Sequence, residues 1–364
     1  MQGEANLNQL KAIKYDGDKP LFIDAGPGSG KTFVLIERIK FLLNEKHVNP
    51  ESMLVITFTN KAANELKNRL ADDSDVGVGL INKMHIGTIH SFCFKILNMY
   101  WPFSIDVLGG YSNYVGKRSS FELVSMFLSK HMGDLGFEYE SFIGQKEIRT
   151  VVKKFDEYNI YGVDTPGLVD YIQNNRPINQ DYLNLIEKTR QVWGDDNFIF
   201  PYNAVVGDDS FKESWYNAKY LAIAKSFPKY NALLKDKGLF DFNLLQMTAL
   251  NLLEDSEILE EIVYKNVLID EFQDSDYIQM QIFEKLIQNA TSFTVVGDDD
   301  QSIYGFRGAV PEFFNDFSKK YDAEVVTLQT NYRSTQDIVD FNEQYIHDIR
   351  PKDSKKDLKA IRDK

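Results

Sequence analysis

An α/β fold, a parallel sheet interrupted by a mostly helical insertion, follows from three features of this 364-residue sequence. Short apolar runs alternate with stretches of helical period as far as residue 98. Aromatic-rich helical text then takes over, and the apolar runs return from residue 266. Such alternation predicts β-α-β units and therefore parallel strands.

In order, "PLFID" (20–24) reads as a strand and "TFVLIERIKFLL" (32–43) as a helix. "MLVITF" (53–58) is a second strand, "NKAANELKNRL" (60–70) a second helix and "HIGTIH" (85–90) a third strand. Beyond them "FELVSMFLSKHM", "KEIRTVVKKFDEYN" and "QDYLNLIEKTRQVW" carry the helical period, broken by Pro and Gly in "VDTPG" and "NNRP". Strand text resumes with "NVLID" (266–270), "SFTVVGD" (292–298) and "AEVVTL" (323–328). One sheet with an insertion is the economical arrangement: residues 1–98 with 239–330 form the sheet domain, and 99–238 the helical insertion. The polar tail "RPKDSKKDLKAIRDK" is expected to be loosely held.

Composition narrows the function. A formal charge of −13 argues against binding polyanions with the whole surface, although a local groove can still be basic. The acidity is concentrated between residues 99 and 330, the flanking segments being close to neutral. A single cysteine, Cys93, rules out an internal disulfide and suits a reducing cytoplasm. The first residues lack a signal-peptide apolar core, and no apolar stretch approaches membrane-spanning length. A cytoplasmic protein with no membrane partner is expected.

Two motifs carry chemistry. After the first strand comes "AGPGSGKT": Ala25, Gly26, Pro27, Gly28, Ser29, Gly30, Lys31 and Thr32, followed at once by a helix. Small residues let the backbone N–H groups of Gly28, Ser29 and Gly30 curl around a phosphate, and the helix N-terminus adds positive potential. Lys31 would reach the terminal phosphates of ATP, and the Thr32 hydroxyl would ligate Mg²⁺. The second motif, "VLIDEFQD", ends an apolar strand in Asp270 and Glu271. Asp270 would hold Mg²⁺ through its water shell and Glu271 would orient and deprotonate the attacking water. Alone, such a pair is more often a solvated strand end. Coupled to a phosphate loop in one sheet, it specifies a nucleotide hydrolase.

These motifs, together with "NQLKAI", "TFTNKAANEL", "GTIHSF", "GDDDQSIYGFRGA" and "LQTNYRST" in that order, resemble the UvrD/Rep-type superfamily 1 DNA helicases, specifically their N-terminal, ATP-binding half. The "DF" of "DFNLL" (241–245) is similar to the family segment where the insertion rejoins the sheet. The resemblance implies a RecA-like P-loop NTPase domain. It implies that Gln9 reads adenine, that Tyr332 stacks on it, that Gln301 senses the γ-phosphate and that Arg333 stabilises transition-state charge. It further implies that Phe58, Thr59, Asn60, Thr88, His90, Tyr304, Phe306 and Arg307 face single-stranded DNA or a single/double-strand junction through polar and stacking groups. Taken singly, His90 is more simply a satisfied structural histidine and Asn60 a helix N-cap. One departure is Phe33, where the family usually has Arg after the Lys-Thr pair.

After "NYRST" about 30 residues remain, too few for a second α/β domain of the usual size. Residues 331–364 are therefore expected to begin a second RecA-like domain that this sequence lacks, supplied by a longer protein or another chain. The resemblance implies an ATP-dependent helicase or translocase, moving 3′ to 5′. The alternative is a non-motor, nucleotide-gated single-strand clamp or interaction module. A generic phosphate-loop kinase leaves "DEFQD" and "DDDQSIYGFRGA" without a role.

Overall fold

The computed structural model describes residues 4–72, 76–101, 103, 105–108, 120–137, 147–176, 178–193, 208–305, 309–347 and 357–362. Ten strands run β1 (Leu21–Ala25), β2 (Met53–Ile56), β3 (His85–Gly87), β4 (Asp106–Val107), β5 (Leu239–Phe240), β6 (Asn266–Ile269), β7 (Ser292–Gly297), β8 (Glu324–Leu328), β9 (Thr330–Thr335) and β10 (Lys359–Arg362). Six of them form one sheet in the order β3-β2-β6-β7-β1-β8, and every neighbouring pair is parallel. The fold is α/β, a RecA-like parallel sheet with a helical insertion, as the alternation of apolar runs predicts. Because all six strands point the same way, the loops that leave them share one carboxyl edge, where ligands of open α/β sheets bind.

Burial on both faces explains why these strands read as continuous apolar runs. One face packs Ile23, Val55, Leu268 and Val296 with Val34, Leu35, Ile39 and Leu42 of the helix α2 (Lys31–Asn44). Aromatic rings gather about Phe22, whose ring lies 4.7 Å from Phe314 and 5.9 Å from Phe317, with Phe272 5.1 Å from Phe317.

The chain divides into two compact units, Met1–Tyr100 with Thr248–Lys364, and Trp101–Met247. Among its described residues, the regular structure of the second unit is helical apart from the parallel pair β4 and β5. Its longest helix, Asp209–Asp236, packs Phe227 and Tyr230 on Phe155, with ring centroids 5.2 and 4.9 Å apart. Buried Asp241 accepts from Tyr230 Oη at 2.6 Å and from the backbone N–H of Leu244 at 2.7 Å, which is why "DFNLL" turns a strand into a helix.

Among the elements that the sequence reading did not assign are the first helix and the last strand. The helix α1 (Leu7–Ile13) opens with a capping box in which Asn6 and Gln9 each accept the other's backbone N–H. Of the tail, expected to be loose, the described residues 357–362 place β10 parallel to β9 and bury Leu358. An apolar residue seated in the domain decided the tail's fate against its polar surroundings.

Arg38 of α2 is 1% exposed. It donates to the carbonyls of Ala12, Ile13 and Tyr15 at the end of α1 and to Thr294 Oγ1 on β7, at 2.9–3.2 Å. Burial lowers its pKa only to about 10, so the cation persists and satisfies the end of α1, which carries Gln9. Replacing Arg38 with Met orphans those carbonyls. The expected loss is about 2–4 kcal/mol of unfolding free energy, read from the shift of a urea denaturation midpoint at constant slope.

Candidate functional site

The phosphate loop leaves β1 at Ala25, and α2 begins at Lys31 with Gly30 as its cap. Gly28 and Gly30 adopt left-handed φ values of 70° and 90°, which side chains rarely tolerate. Space forbids them too: a Cβ on Gly28 would lie 2.8 Å from Asn331 Oδ1, and one on Gly30 would lie 2.9 Å from Gln9 Nε2. No side chain caps α2 and no acid occupies its first turn, so its dipole faces the loop unopposed. The buried Ser29 hydroxyl has no partner among the described residues.

Around the loop the structure gathers Gln9, Tyr332 and the segment that carries Arg333. Gln9 Nε2 donates to Ser29 O at 3.0 Å, and its Oε1 accepts from Asn6 N–H at 3.0 Å and Tyr332 Oη at 3.2 Å. Tyr332 N–H donates to Gly28 O at 2.9 Å, and Asn331 Nδ2 donates to Pro27 O at 2.8 Å. Asn331 Oδ1 also accepts the N–H groups of Arg333 and Ser334, both at 2.8 Å, which turns the exposed Arg333 side chain away from the core. Leu358 covers Gly26 so closely that a Cβ there would come within 2.5 Å. Phe33 is partly buried against the core. Thr32 sits in the first turn of α2, half-buried.

Opposite the loop, Asp270 and Glu271 end β6. Glu271 takes a left-handed φ of 52°, an uncommon and strained choice for a non-glycine residue. Its Oε2 lies 3.4 Å from Lys31 Nζ and accepts from Gln273 Nε2 at 2.8 Å. Enclosure of the Asp270 carboxyl, together with the charge of Glu271, pushes its pKa up to about 7 against the pull of Lys31. Burial, then Glu271, likewise raises Asp274 to about 6.

The nucleic-acid candidates sit further along the same edge. Phe58, after β2, stacks on Tyr304, beyond β7, with centroids 5.0 Å apart and planes at 28°. Both rings are partly exposed. Gln301 is exposed and its amide donates to Asp298 Oδ2. Thr59 and Asn60 are exposed, and the helix they begin, Asn60–Ala71, is capped by Thr59, whose hydroxyl accepts from Ala62 N–H at 3.1 Å. The cap therefore falls one residue before Asn60, where the sequence reading had put it. Thr88 is corrected more strongly. It is buried, and its hydroxyl accepts from Ser91 N–H at 3.3 Å, so it shapes the turn into the next helix. His90 is half-buried, and burial lowers its pKa to about 4, leaving a neutral ring at physiological pH. Phe306 and Arg307 lie outside the described residues. A cavity of about 40 Å³, the space of roughly one water, is lined by Phe58, His90, Asp270, Glu271 and Asp274 and joins the two regions.

Sequence reasoning missed Asn331, Gln273, Leu358 and Asn6 as parts of this site. The spacing of Asn6 to Gln9 was a readable capping signal. Asn331 and Leu358 act across long chain separations, as does the bond from Asp298 N–H to Gln273, and these leave no local trace.

The family described as UvrD/REP helicase N-terminal domain matches residues 5–322. The chain is 34% identical to the ATP-dependent DNA helicase PcrA of Bacillus subtilis over 338 residues, covering 92% of this chain and 38% of that protein. It is 32% identical to the ATP-dependent DNA helicase SRS2 of Saccharomyces cerevisiae, covering 93% of this chain and 26% of that protein. It is 30% identical to the ATP-dependent DNA helicase Rep of Buchnera aphidicola, covering 91% and 41%. The chain thus spans well under half the length of these relatives.

The raised pKa of Asp270 makes a signed prediction. The native carboxyl holds a proton up to about pH 7, whereas in the unfolded chain it releases it near the model-peptide value of 3.8. Its contribution is therefore present at low pH and lost as pH rises through 7. Asp270→Asn should stabilise the ligand-free protein at pH 8 by about 2–4 kcal/mol. The gain should shrink to less than half by pH 5 and vanish only below about pH 4, as read by denaturation across that range.

Proposed function

The chain belongs to the UvrD/Rep helicase family, and from that membership we propose that it is the ATP-hydrolysing, strand-gripping portion of a cytoplasmic DNA helicase. It would act on single-stranded DNA or a single/double-strand junction and move 3′ to 5′. The observation that carries this reading is the stacked Phe58–Tyr304 pair on the carboxyl edge that also bears the phosphate loop.

In this reading Gly28, Ser29 and Gly30 cradle the phosphates while Gln9 and Tyr332 receive the base. An arriving triphosphate draws Lys31 away from Glu271 and frees that carboxylate to take a proton from the attacking water. Gln301 and Arg333 sense and neutralise the γ-phosphate. The donor set suits Mg²⁺: a half-buried hydroxyl at Thr32 faces a chemistry completed by the poorly solvated Asp270 carboxyl, whose charge a divalent cation would balance. When bound, the ion supplies charge neutralisation on the phosphate oxygens. Phe58 and Tyr304 offer rings for bases, with Thr59, Asn60 and His90 beside them, a grip that needs little net positive charge. That is compatible with the overall acidity. The chain matches only 26% and 38% of the length of two helicase relatives, and hydrolysis by this chain alone should be weak.

Lys31→Ala is expected to reduce Mg-ATP turnover about 100-fold or more, measured by phosphate release. Unchanged turnover would remove the catalytic assignment. Tyr304→Ala or Phe58→Ala should each cost about 1–3 kcal/mol of oligothymidylate affinity with nucleotide affinity unaltered, as followed by fluorescence anisotropy. The logarithmic salt slope of that binding should be shallow, below about 3 in magnitude; a steep slope contradicts the stacking grip. Displacement of a protein block from a DNA track separates a motor from a nucleotide-gated clamp, which would bind strand but clear nothing.

A further inference from the structure

Gln273 is 2% exposed and uses both ends of its amide. Its Nε2 donates to Glu271 Oε2 at 2.8 Å, and its Oε1 accepts the backbone N–H of Asp298 at 3.0 Å. The amide orientation is dictated by its partners, since a carboxylate needs a donor and an N–H needs an acceptor. The seat is built for it: at Gly297 any Cβ would fall 2.4 Å from Gln273 Oε1. Beyond Asp298 the connection continues into the loop after β7. Asp298 accepts from Gln301 Nε2 and from Asp300 N–H, and the Ser302 hydroxyl returns to the Gln273 carbonyl at 3.4 Å. Two residues later Tyr304 stacks on Phe58.

Resting on the function proposed above, we propose that Gln273 is the positioning residue that makes the orientation of Glu271 depend on the loop bearing Gln301 and Tyr304, and so couples strand occupancy to nucleotide occupancy. Glu271 Oε2 has two partners in the structure, Lys31 and Gln273. Once phosphate claims Lys31, the amide of Gln273 is the remaining hold. A buried amide cannot release either partner without leaving a polar group unpaired, so a shift of the β7 loop carries Glu271 with it. The relation is reciprocal, and nucleotide must alter strand affinity by the same factor that strand alters nucleotide affinity.

The test measures binding, so it does not depend on turnover. The affinity of the 364-residue chain for a fluorescent oligothymidylate is determined without nucleotide and with a Mg-bound non-hydrolysable ATP analogue. Wild type should show a change of about fivefold or more. Q273L and Q273M, neither of which can donate to Glu271 or accept from Asp298 N–H, should each bind oligonucleotide alone and nucleotide alone within about twofold of wild type, yet lose the change between the two states. Q273M, which keeps the unbranched length of the side chain, guards against a folding failure specific to Q273L. Variants that keep the full change, variants whose separate affinities collapse with it, or a wild type that binds both ligands without any change would overturn the role of Gln273 and leave the proposed function standing. A wild type that binds neither ligand would overturn both.

Discussion

The carboxyl edge of the parallel sheet depends on one partly buried polar connection, from Lys31 through Glu271 and Gln273 to the backbone at Asp298. It spans three neighbouring strands, since β7 lies between β6 and β1. Lys31 follows β1, Glu271 and Gln273 follow β6 and Asp298 follows β7, and removing Gln273 leaves the buried N–H of Asp298 with no acceptor in this connection. The absence of a side chain at Gly297 is as much a part of this connection as the amide that fills the space.

A second set of contacts fixes the phosphate loop from outside. Asn331, the backbone of Tyr332 and the side chain of Leu358 all lie against Pro27, Gly28 or Gly26. The left-handed glycines therefore do two things: they turn the loop, and they admit β9 to hydrogen-bonding distance of it. On the other side, Gln9 is held by its own capping box and by Ser29 O, while Arg38 anchors the end of the same helix. The helix that carries Gln9, the glycine loop and β9 are thereby tied together by hydrogen bonds before any ligand arrives, which lowers the ordering cost of binding.

Electrostatics at the edge run against stability. Glu271 occupies a strained backbone conformation, and Asp270 and Asp274 are enclosed beside it with raised pKa values of about 7 and 6. Lys31 offsets only part of this. Strain and crowded negative charge of this kind concentrate at functional sites, where a cation would complete the balance. The aromatic core on the neighbouring face, from Phe22 to Phe317, supplies the compensating burial.

The fold class was legible because alternation of apolar runs is a local signal, as were the glycines of "AGPGSGKT" and the acids that close "VLIDEFQD". Local periodicity and turn chemistry act over a handful of residues and can be read directly. The chain alone thus determined the parallel sheet, the loop that can hold phosphate and the two carboxylates at a strand end. Tertiary structure decided the rest. Thr88, outwardly a polar contact, is buried as a helix cap, whereas Leu358 in a polar tail seals the phosphate loop. Gln273 meets Asp298 N–H only because β6 pairs with β7, and Asn331 meets Pro27 across 304 positions of chain. Those partners depend on strand order and register, which come from the packing of the whole sheet and leave no mark on any short stretch of sequence.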